Sequence, residues 1–375
     1  MRKVKMGMVG GGDGAFIGAV HRHAAALDGM IDLVCGCFAS TPEKSRKSGK
    51  NLGLPADRVY GTYAEMMAAE AALPVADRMD FVAIVTPNHM HFPVAKAALD
   101  AGFHVLSDKP ATLTLDESKA LKSLVDSGDF LYGLTHNYTG YPAIKEARDL
   151  VKSGALGPLR KVVVEYLQGW LAGPDDPNDK QAAWRTDPAR AGAAGCFGDI
   201  GSHAANLAEY VTGAQIEEIC ADLSTFVEGR MLDDDSTALL KLSNNIKGVL
   251  NASQIAVGEE NNLTLRVYGE KGGLEWRQQE PNTLTLKWSD NSQTVRRTGN
   301  DFGPAGTAAT RTPGGHPEGY LEAFANIYRA FAARILGEDS DLDFPSIDAA
   351  VHGMAVIEGM VAASASDEKW FKIKD

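Results

Sequence analysis

Two acid–base side chains stand four positions apart in the second half of the chain, at Asp199 and His203. If residues 199–211 form a helix, this spacing projects both side chains from one face. The unperturbed pKa of histidine lies near neutrality, so His203 suits a general base that takes a proton from a substrate hydroxyl. Asp199 would either orient the imidazole or hold another hydroxyl of the substrate. A lone histidine is more often structural, and the pairing with Asp199 favours catalysis.

The same predicted helix carries an apolar stripe beside its polar face. Asn206 and Tyr210 continue the polar face by further helical steps. The stripe consists of Ile200, Ala204, Leu207 and Val211. We expect the stripe to pack on the core and so to hold the functional face in place.

A glycine-rich segment, residues 9–18, follows the first predicted strand and opens a helix. Glycines let the backbone close around a pyrophosphate, which the N–H groups of the next helix then bind. The third fingerprint position is either Ala15 or, after an insertion, Gly18. A plain tight turn is the alternative, but the placement between strand and helix favours a dinucleotide site. The residues predicted to line it are Gly10, Gly12, Ala15, Phe16 and Ile17.

The end of the second predicted strand bears on which dinucleotide binds. An acid that holds the ribose 2′-hydroxyl is expected there in an NAD enzyme. The chain instead continues through Ser40, a predicted cofactor contact, with Lys44 and Arg46 nearby. These cations suit a 2′-phosphate or simply a solvated helix face, so the sequence predicts NAD or NADP without deciding between them.

The elements that must position these residues alternate between strand and helix in the first third of the chain. Such alternation predicts a parallel sheet with helices on both faces, a doubly wound α/β Rossmann domain over residues 1–140. The predicted strands are Val4–Val9, Ile31–Phe38, Phe81–Thr86, Phe103–Ser107 and Phe130–Thr135.

The pattern changes after about residue 140, which predicts a second domain over residues 141–375. A helix over Ala143–Lys152 and a strand over Lys161–Leu171 precede a loop-like segment, residues 172–198. Strands and turns then continue to about residue 298, with turn signals at Asn244-Asn245 and Gly272-Gly273. Helices are predicted over Glu318–Leu336 and Ile347–Ser364. This order predicts an α+β domain with a large, mostly antiparallel open sheet.

Composition restricts the classes of partner. The 375 residues are 44% apolar and 23% charged, as in an ordinary globular protein. The formal net charge of −12 argues against nucleic acid or an anionic membrane surface, because phosphates would be repelled. The histidines and cysteines lack helical metal-site spacing, and no Gly-x-Ser-x-Gly motif is present, so we predict no metal and no serine nucleophile.

The sequence also predicts a cytoplasmic location. The four cysteines are too few and too scattered for a disulfide framework. The apolar stretch Met6–Val9 is short and runs into glycines, so no signal peptide is predicted. No run approaches the ~20 apolar residues that span a bilayer.

Several motifs occur in a fixed order along the chain. They are Thr86-Pro87-Asn88-His89-Met90-His91, Asp108-Lys109-Pro110, His136-Asn137-Tyr138, Trp184-Arg185 and the segment 198–203. With the glycine segment upstream, this order resembles the Gfo/Idh/MocA family of sugar and inositol dehydrogenases. The resemblance covers nearly the whole chain.

The resemblance implies roles for individual residues. Thr86, Pro87 and Asn88 would lie along the cofactor. The family's Glu-Lys-Pro motif places a lysine beside the nicotinamide and the substrate hydroxyl, so Lys109 would stabilise the alkoxide. The acid of the motif is Asp108 in this chain, one methylene shorter.

Further side chains are weaker candidates for the site. His91 would contact the cofactor or substrate, or else cap the following helix. The predicted substrate contacts beside Lys109, Asp199 and His203 are Asn137, Tyr138, Trp184, Arg185 and His316. Tyr138 would alternatively pack at a domain interface, and Trp184 with Arg185 would alternatively anchor a loop.

Three functions compete. The first is an NAD(P)-dependent dehydrogenase of a sugar or polyol, for which the resemblance implies a homodimer or homotetramer paired through the open sheet face. The second is a redox-neutral NAD-dependent glycosidase, with Tyr138 as an extra acid or base and Lys180, Arg185 and Arg190 binding an acidic or sulfonated sugar. The third is a non-catalytic NAD-dependent sensor, which the presence of Lys109, Asp199 and His203 disfavours.

Overall fold

A computed structural model describes residues 2–176 and 179–374, without the side chain of Lys180. The chain forms two compact units. The first comprises Met1–Asn137 with Phe324–Val351, and the second comprises Tyr138–Ala323 with His352–Asp375. The first unit therefore includes a late segment that the predicted boundary at residue 140 assigns to the second domain.

The late segment joins the first unit through packing and backbone hydrogen bonds. The ring of Phe331 lies 5.3 Å from that of Phe81, and the Leu134 N–H donates to the Pro345 carbonyl at 2.9 Å. Burial of these aromatic rings removes apolar surface from water, which explains why the chain returns to this unit.

The first unit is built on a five-stranded sheet whose strands all run parallel, as predicted. The strands are β1 Val4–Gly10, β2 Ile31–Cys37, β3 Phe81–Val85, β4 His104–Ser107 and β5 Tyr132–Leu134. Their order across the sheet is β2-β1-β3-β4-β5. Every residue of the central strand β3 is buried, which is typical of a parallel strand covered on both faces.

Helices connect these strands. They are α1 Phe16–Leu27, α2 Pro42–Asn51, α3 Tyr63–Ala72, α4 His91–Asp100 and α5 Leu115–Ser127. Helices α3 and α5 begin with reciprocal capping boxes, Thr62 with Glu65 and Thr114 with Glu117, which satisfy the first N–H groups of each helix.

The second unit contains a nine-stranded sheet in the order β13-β12-β11-β10-β6-β9-β8-β7-β14. Its strands are β6 Leu159–Leu167, β7 Ile216–Ser224, β8 Asp235–Leu242, β9 Lys247–Ser253, β10 Asn262–Gly269, β11 Gly272–Arg277, β12 Thr283–Trp288, β13 Gln293–Arg297 and β14 Phe371–Lys372. Within this nine-stranded sheet the β6–β9 pair is parallel and the other described strand pairs are antiparallel, so the predicted antiparallel character is confirmed.

The remaining helices complete the chain. They are α6 Pro142–Lys152, α7 Lys180–Arg185, α8 Pro188–Ala191, α9 Ser202–Thr212, α10 Pro304–Ala308, α11 Tyr320–Leu336 and α12 Ile347–Ser364. Helix α12 is long and apolar enough to span a membrane by length and composition. Of this helix 61% is buried inside the protein, as in a core helix.

Three local predictions need correction. Strand β6 ends at Leu167 rather than Leu171, and the segment predicted as loop, residues 172–198, contains α7 and α8. Gly272 and Gly273 open β11 instead of forming a turn, because Gly273 pairs with Tyr268 in the ladder. The turn at Asn244 and Asn245 is confirmed, since both residues have positive φ.

Candidate functional site

The glycine turn, residues 10–12, closes tightly against the ends of two strands. Gly10 has φ +87°, and a Cβ on it would lie 2.5 Å from the Val85 carbonyl oxygen. A Cβ on Gly12 would lie 2.5 Å from the Phe38 carbonyl oxygen. Only glycine fits these two positions, as the first fingerprint positions of a dinucleotide site require.

Gly18 meets the packing requirement of the third fingerprint position. A Cβ on Gly18 would lie 2.3 Å from Gly11 Cα, so α1 packs directly on the turn. Ala15 is the N-cap of α1 and has no side-chain oxygen to cap it. The first N–H groups of α1, at Phe16 and Ile17, therefore suit an anion.

The end of β2 presents hydroxyl groups rather than an acid. Ser40 is exposed, and Thr41 caps α2 by accepting from the Lys44 N–H. Lys44 and Arg46 are both exposed on α2. Hydroxyl groups and exposed cations therefore occupy this end of the strand.

The Thr-Pro-Asn segment follows β3, and Asn88 begins a short 3₁₀ turn after Pro87. The Thr86 hydroxyl oxygen is buried and has no hydrogen-bond partner among the described residues. An orphaned buried hydroxyl beside a glycine cradle fits a bound dinucleotide, which would supply the missing partner.

His91 is fully buried between two backbone carbonyls. Its Nδ1 lies 2.6 Å from the Pro110 oxygen and its Nε2 lies 2.9 Å from the Thr86 oxygen. Burial lowers the pKa of His91, and a neutral imidazole donates from only one nitrogen. Both ring nitrogens face the protein's own backbone, which argues against the predicted contact with cofactor or substrate.

Asp108 and Lys109 follow β4, and the Asp108 carboxylate is held from several sides. Oδ1 accepts from the Thr135 hydroxyl at 2.9 Å and from the Lys109 backbone N–H at 3.0 Å. His21 Nε2 lies 3.8 Å from Oδ2. Burial would raise the pKa of this carboxyl, but interaction with His21 and then Lys109 brings it well below its usual value. Asp108 is therefore a fixed anion beside Lys109.

The third cofactor-side motif places His136 and Asn137 after β5. Burial, followed by the charge of Lys109, lowers the pKa of His136 to about 3, so this ring stays neutral. Asn137 is buried, and its side-chain nitrogen has no hydrogen-bond acceptor within the described part of the chain. This orphaned donor suits a carbonyl or hydroxyl oxygen of a ligand.

In the second unit Asp199 lies in a π-helical turn, Phe197–Gly201, and not in the α-helix that the sequence predicted. Helix α9 continues from this turn and carries His203. The predicted apolar stripe is confirmed, because all its residues are buried: Ile200, Ala204, Leu207 and Val211. Single π turns recur at functional sites, where they re-aim one side chain.

Arg185 and Gln254 both hold the Asp199 carboxylate. Arg185 Nε donates to Oδ2 at 3.0 Å, and Gln254 Nε2 donates to the same oxygen at 2.9 Å. Gln254 is buried at the end of β9. Arg185 therefore lies beside Asp199.

His203 packs against tyrosine rings. The Tyr138 ring meets it edge-on at 4.9 Å. The Tyr138 hydroxyl lies 2.5 Å from that of Tyr166 and accepts from Asn261 Nδ2 at 3.1 Å. Burial raises the pKa of Tyr138. We call Asp199, His203, Arg185, Gln254 and Tyr138 the substrate cluster.

Aromatic rings border the substrate cluster. The Arg185 guanidinium carbon lies 4.3 Å from the centre of the Trp184 ring and 5.8 Å from that of Trp170. The Trp170 indole N–H donates to Gln168, whose amide nitrogen donates to Asn261. An aromatic face beside a guanidinium suits a sugar ring, and the role of Trp184 with Arg185 in binding the substrate stays a prediction.

His316 is not part of the substrate cluster. It is exposed, and its Nδ1 lies 3.0 Å from the Pro313 oxygen of its own turn. The Asn178 and Pro177 positions before α7 lie outside the described residues, as does the side chain of Lys180. Among the residues that the structure describes, no group of three or more His, Cys, Asp or Glu side chains could hold a metal.

Sequence reasoning missed Gln254 of the substrate cluster and three residues that bond to the cluster or to the π turn. Tyr166 and Asn261 bond to Tyr138, and Asp233 accepts from the Gly195 and Phe197 N–H groups. Gln254 lies 55 positions from Asp199, and packing of the π turn beside the end of β9 brings the two together. The one sequence signal for Gln254 was its place as a polar residue directly after a buried strand. The run Asp233-Asp234-Asp235 was visible as three acids at the start of a strand, without indicating a role.

Comparison with known proteins adds independent findings. Residues 4–136 match an oxidoreductase family with an NAD-binding Rossmann fold, and residues 144–275 match the GFO/IDH/MocA C-terminal domain. An uncharacterized oxidoreductase, YfiI, of Bacillus subtilis is 32% identical over 100% of this chain and 98% of its own. Levoglucosan dehydrogenase of Pseudarthrobacter phenanthrenivorans is 27% identical over 78% of each chain.

Solved structures are also similar. An oxidoreductase from Sinorhizobium meliloti is 43% identical with a TM-score of 0.91, over 99% of this chain and 100% of that one. An inositol dehydrogenase homolog from Azotobacter vinelandii, complexed with NADH and myo-inositol, is 30% identical with a TM-score of 0.91. That similarity covers 99% of this chain and 98% of the other.

Proposed function

Because this chain belongs to the Gfo/Idh/MocA family of NAD-binding oxidoreductases, we propose that it is an NAD(P)-dependent dehydrogenase of a sugar, sugar derivative or polyol. The reaction would convert a secondary hydroxyl into a ketone. The observation that carries this proposal is the substrate cluster, in which one helical segment holds both a fixed carboxylate and a histidine. The homolog that binds myo-inositol and the dehydrogenase of levoglucosan support the substrate class.

The proposed roles follow from the chemistry of alcohol oxidation. Bound NAD(P) would supply the acceptor for the hydrogen and electron pair that leave the carbinol carbon. His203 would take the hydroxyl proton as general base. Lys109 would stabilise the negative charge that develops on the oxygen. Asp199, already held by Arg185 and Gln254, would fix a further hydroxyl of the substrate or orient His203.

The geometry favours this reaction over the redox-neutral glycosidase. The Tyr138 hydroxyl is already hydrogen-bonded to Tyr166 and Asn261, and burial raises its pKa, which does not suit an acid or base near neutral pH. Arg185, one of the cations that suggested an acidic sugar, is ion-paired with Asp199. The first observation disfavours an elimination that uses Tyr138, and the second supports a neutral polyhydroxylated substrate.

We also propose a homodimer or homotetramer in the cytoplasm. The four cysteines, Cys35, Cys37, Cys196 and Cys220, are all free, which suits a reducing compartment. Strand β8 of the nine-stranded sheet exposes Leu239, and this apolar side chain on one sheet face supports self-association.

The test incubates the protein with NAD, then NADP, and a panel of inositols, sugars, anhydrosugars and aryl glycosides. Absorbance of the reduced nicotinamide and release of aglycone are followed together. We expect net cofactor reduction without aglycone release. Aglycone release without net reduction would establish the glycosidase instead.

Variants then assign the roles of single residues. Lys109→Met and His203→Asn should each lower kcat by about 10²–10⁴-fold, the usual contribution of a positioned acid–base group. The dissociation constant for NADH of His203→Asn should stay near the wild-type value. His316→Asn, outside the substrate cluster, is the matched control and should keep wild-type kcat. Wild-type turnover in His203→Asn would contradict its role as general base.

A further inference from the structure

A guanidinium lies against the glycine turn. Arg22, in the second turn of α1, donates from Nη1 to the Gly11 carbonyl oxygen at 2.6 Å and lies 3.6 Å from Met8 Sδ. The side chain is partly buried, and Asp13 in the neighbouring loop carries the opposite charge. Arginine is seldom placed below a surface unless its charge or its fork of donors is used.

The peptide between Gly11 and Gly12 is held at both ends. Its carbonyl oxygen accepts from Arg22, and its N–H donates to the Phe38 carbonyl at 3.1 Å. Gly11 has φ +69°, and glycine can adopt several other backbone conformations as readily as this one. A peptide flanked by glycines would rotate easily without these two hydrogen bonds. Arg22 supplies one of the two.

The position of Arg22 on α1 explains how it reaches this carbonyl. Gly18 and Arg22 are four residues apart and therefore lie on one face of the helix. Gly18 lets the turn approach to contact distance. Long helical side chains lean back toward the helix N-terminus, so Arg22 extends over Gly18 to Gly11.

We propose that Arg22 is a positioning residue for the dinucleotide. It locks the Gly11–Gly12 peptide and thereby sets the approach of α1, whose first N–H groups would face the diphosphate. It also gives the glycine turn a positive charge, which favours an anion. This inference rests on the proposed role of the turn in binding NAD(P).

Binding measurements test the proposal without a sugar substrate. Dissociation constants for NADH, NADPH and ADP-ribose are measured on the whole protein by fluorescence and calorimetry. ADP-ribose carries the diphosphate but no nicotinamide. Arg22→Met, which keeps the length but loses charge and donors, should raise the constants for NADH and ADP-ribose by about tenfold, the scale of one charge-assisted hydrogen bond. Arg22→Lys should fall between Arg22→Met and wild type.

The matched control separates positioning from general stability. Arg58 bonds both oxygens of the buried Glu70, each at 2.8 Å, elsewhere in the first unit. Arg58→Met should lower Tm yet leave the NADH constant unchanged. The proposal would be overturned if the dissociation constant for NADH rose equally in Arg58→Met. It would also be overturned if that constant in Arg22→Met stayed within about twofold of the wild-type value.

Three further outcomes separate the role of Arg22 from binding of the cofactor itself. If Arg22→Met does not fold, Arg22→Gln replaces it, and an unchanged NADH constant in that neutral variant overturns the proposal. If wild-type protein binds neither NADH nor NADPH, the cofactor assignment fails together with the role of Arg22. Wild-type binding with no effect at Arg22 rejects the positioning role alone.

Discussion

Asp108 shows how one shortened side chain keeps its place in a motif. The sequence shows that Asp108 is one methylene shorter than the family's glutamate, but it does not show how this shorter side chain is held. Strands β4 and β5 end side by side, so Asp108 and Thr135, 27 positions apart, come within 2.9 Å. The Lys109 backbone N–H donates to the same oxygen. These two hydrogen bonds hold the shorter acid in place directly before Lys109.

His136 gives the protein a pH dependence of stability. Its pKa in the folded chain is about 3, against an ordinary value of 6.5, because of burial and then the charge of Lys109. Between these values the unfolded chain binds a proton that the folded chain does not. The free energy of unfolding should therefore fall as pH drops from about 6.5 toward about 3.

Urea denaturation at a series of pH values measures this effect. His136→Asn, which cannot bind the proton, should show a shallower loss of stability through the same pH window. His23→Asn, which removes an exposed histidine of the same unit, is the matched control. Identical pH profiles for wild type and His136→Asn would show that this ring does not contribute.

At the level of elements, the π-helical turn depends on a carboxylate from another segment. Asp233 Oδ1 accepts from the Gly195 N–H at 2.6 Å, and Oδ2 accepts from the Phe197 N–H at 2.8 Å. The Cys196 N–H donates to the Asp233 carbonyl at 2.8 Å. Three successive N–H groups that lead into the turn of Asp199 are therefore bound by one residue.

Asp233→Asn should loosen this turn. It removes one acceptor and turns an amide toward a backbone N–H, at a cost to stability of about 1–3 kcal/mol. We expect kcat to fall by about tenfold or more, because Asp199 loses its fixed orientation, with the dissociation constant for NADH unchanged. The measurement combines urea denaturation with steady-state kinetics.

The control for Asp233→Asn is another aspartate of the same unit. Asp222 is exposed on β7, and its carboxylate accepts from the Ser224 hydroxyl. Asp222→Asn should keep wild-type kcat and stability. Wild-type kcat in Asp233→Asn would remove the argument that the turn is held in place for Asp199.

Elements differ in how well the sequence predicts them. The five parallel strands are short apolar runs, and each was predicted to within about two residues of its observed ends. The π turn was missed, because one extra residue in a helical turn leaves no periodic signal. Gly272-Gly273 has the composition of a turn, but ladder pairing with Tyr268 overrides that preference.

At the scale of the whole molecule, the sequence does not predict which distant segments of the chain pack together. The late segment Phe324–Val351 belongs with the first unit, where Tyr328 donates to or accepts from His21 at 2.7 Å. The two residues are 307 positions apart. Sequence periodicity describes which face of a helix is apolar, but not which apolar surface it will cover.

The nine-stranded sheet leaves one face exposed. In β8 the burial alternates, so Ala238 and Leu240 are buried while Leu239 is 47% exposed. Leu239 pairs with Val249, and Val249 pairs with Val163, which gives an apolar row across three strands. Ion pairs lie on the same sheet, including Lys287 with Glu275 at 2.7 Å. An apolar row bordered by charges is typical of a surface that associates.

We expect the protein to form dimers or tetramers through this face. Leu239→Asp would place a charge in the apolar row and should lower the mass measured by analytical ultracentrifugation, because desolvating an unpaired carboxylate opposes association. Val75→Asp makes the same chemical change at a residue that is 77% exposed in the first unit, and should leave the mass unchanged. A monomeric wild type would refute self-association, whereas an unchanged oligomer in Leu239→Asp would place the interface on another surface.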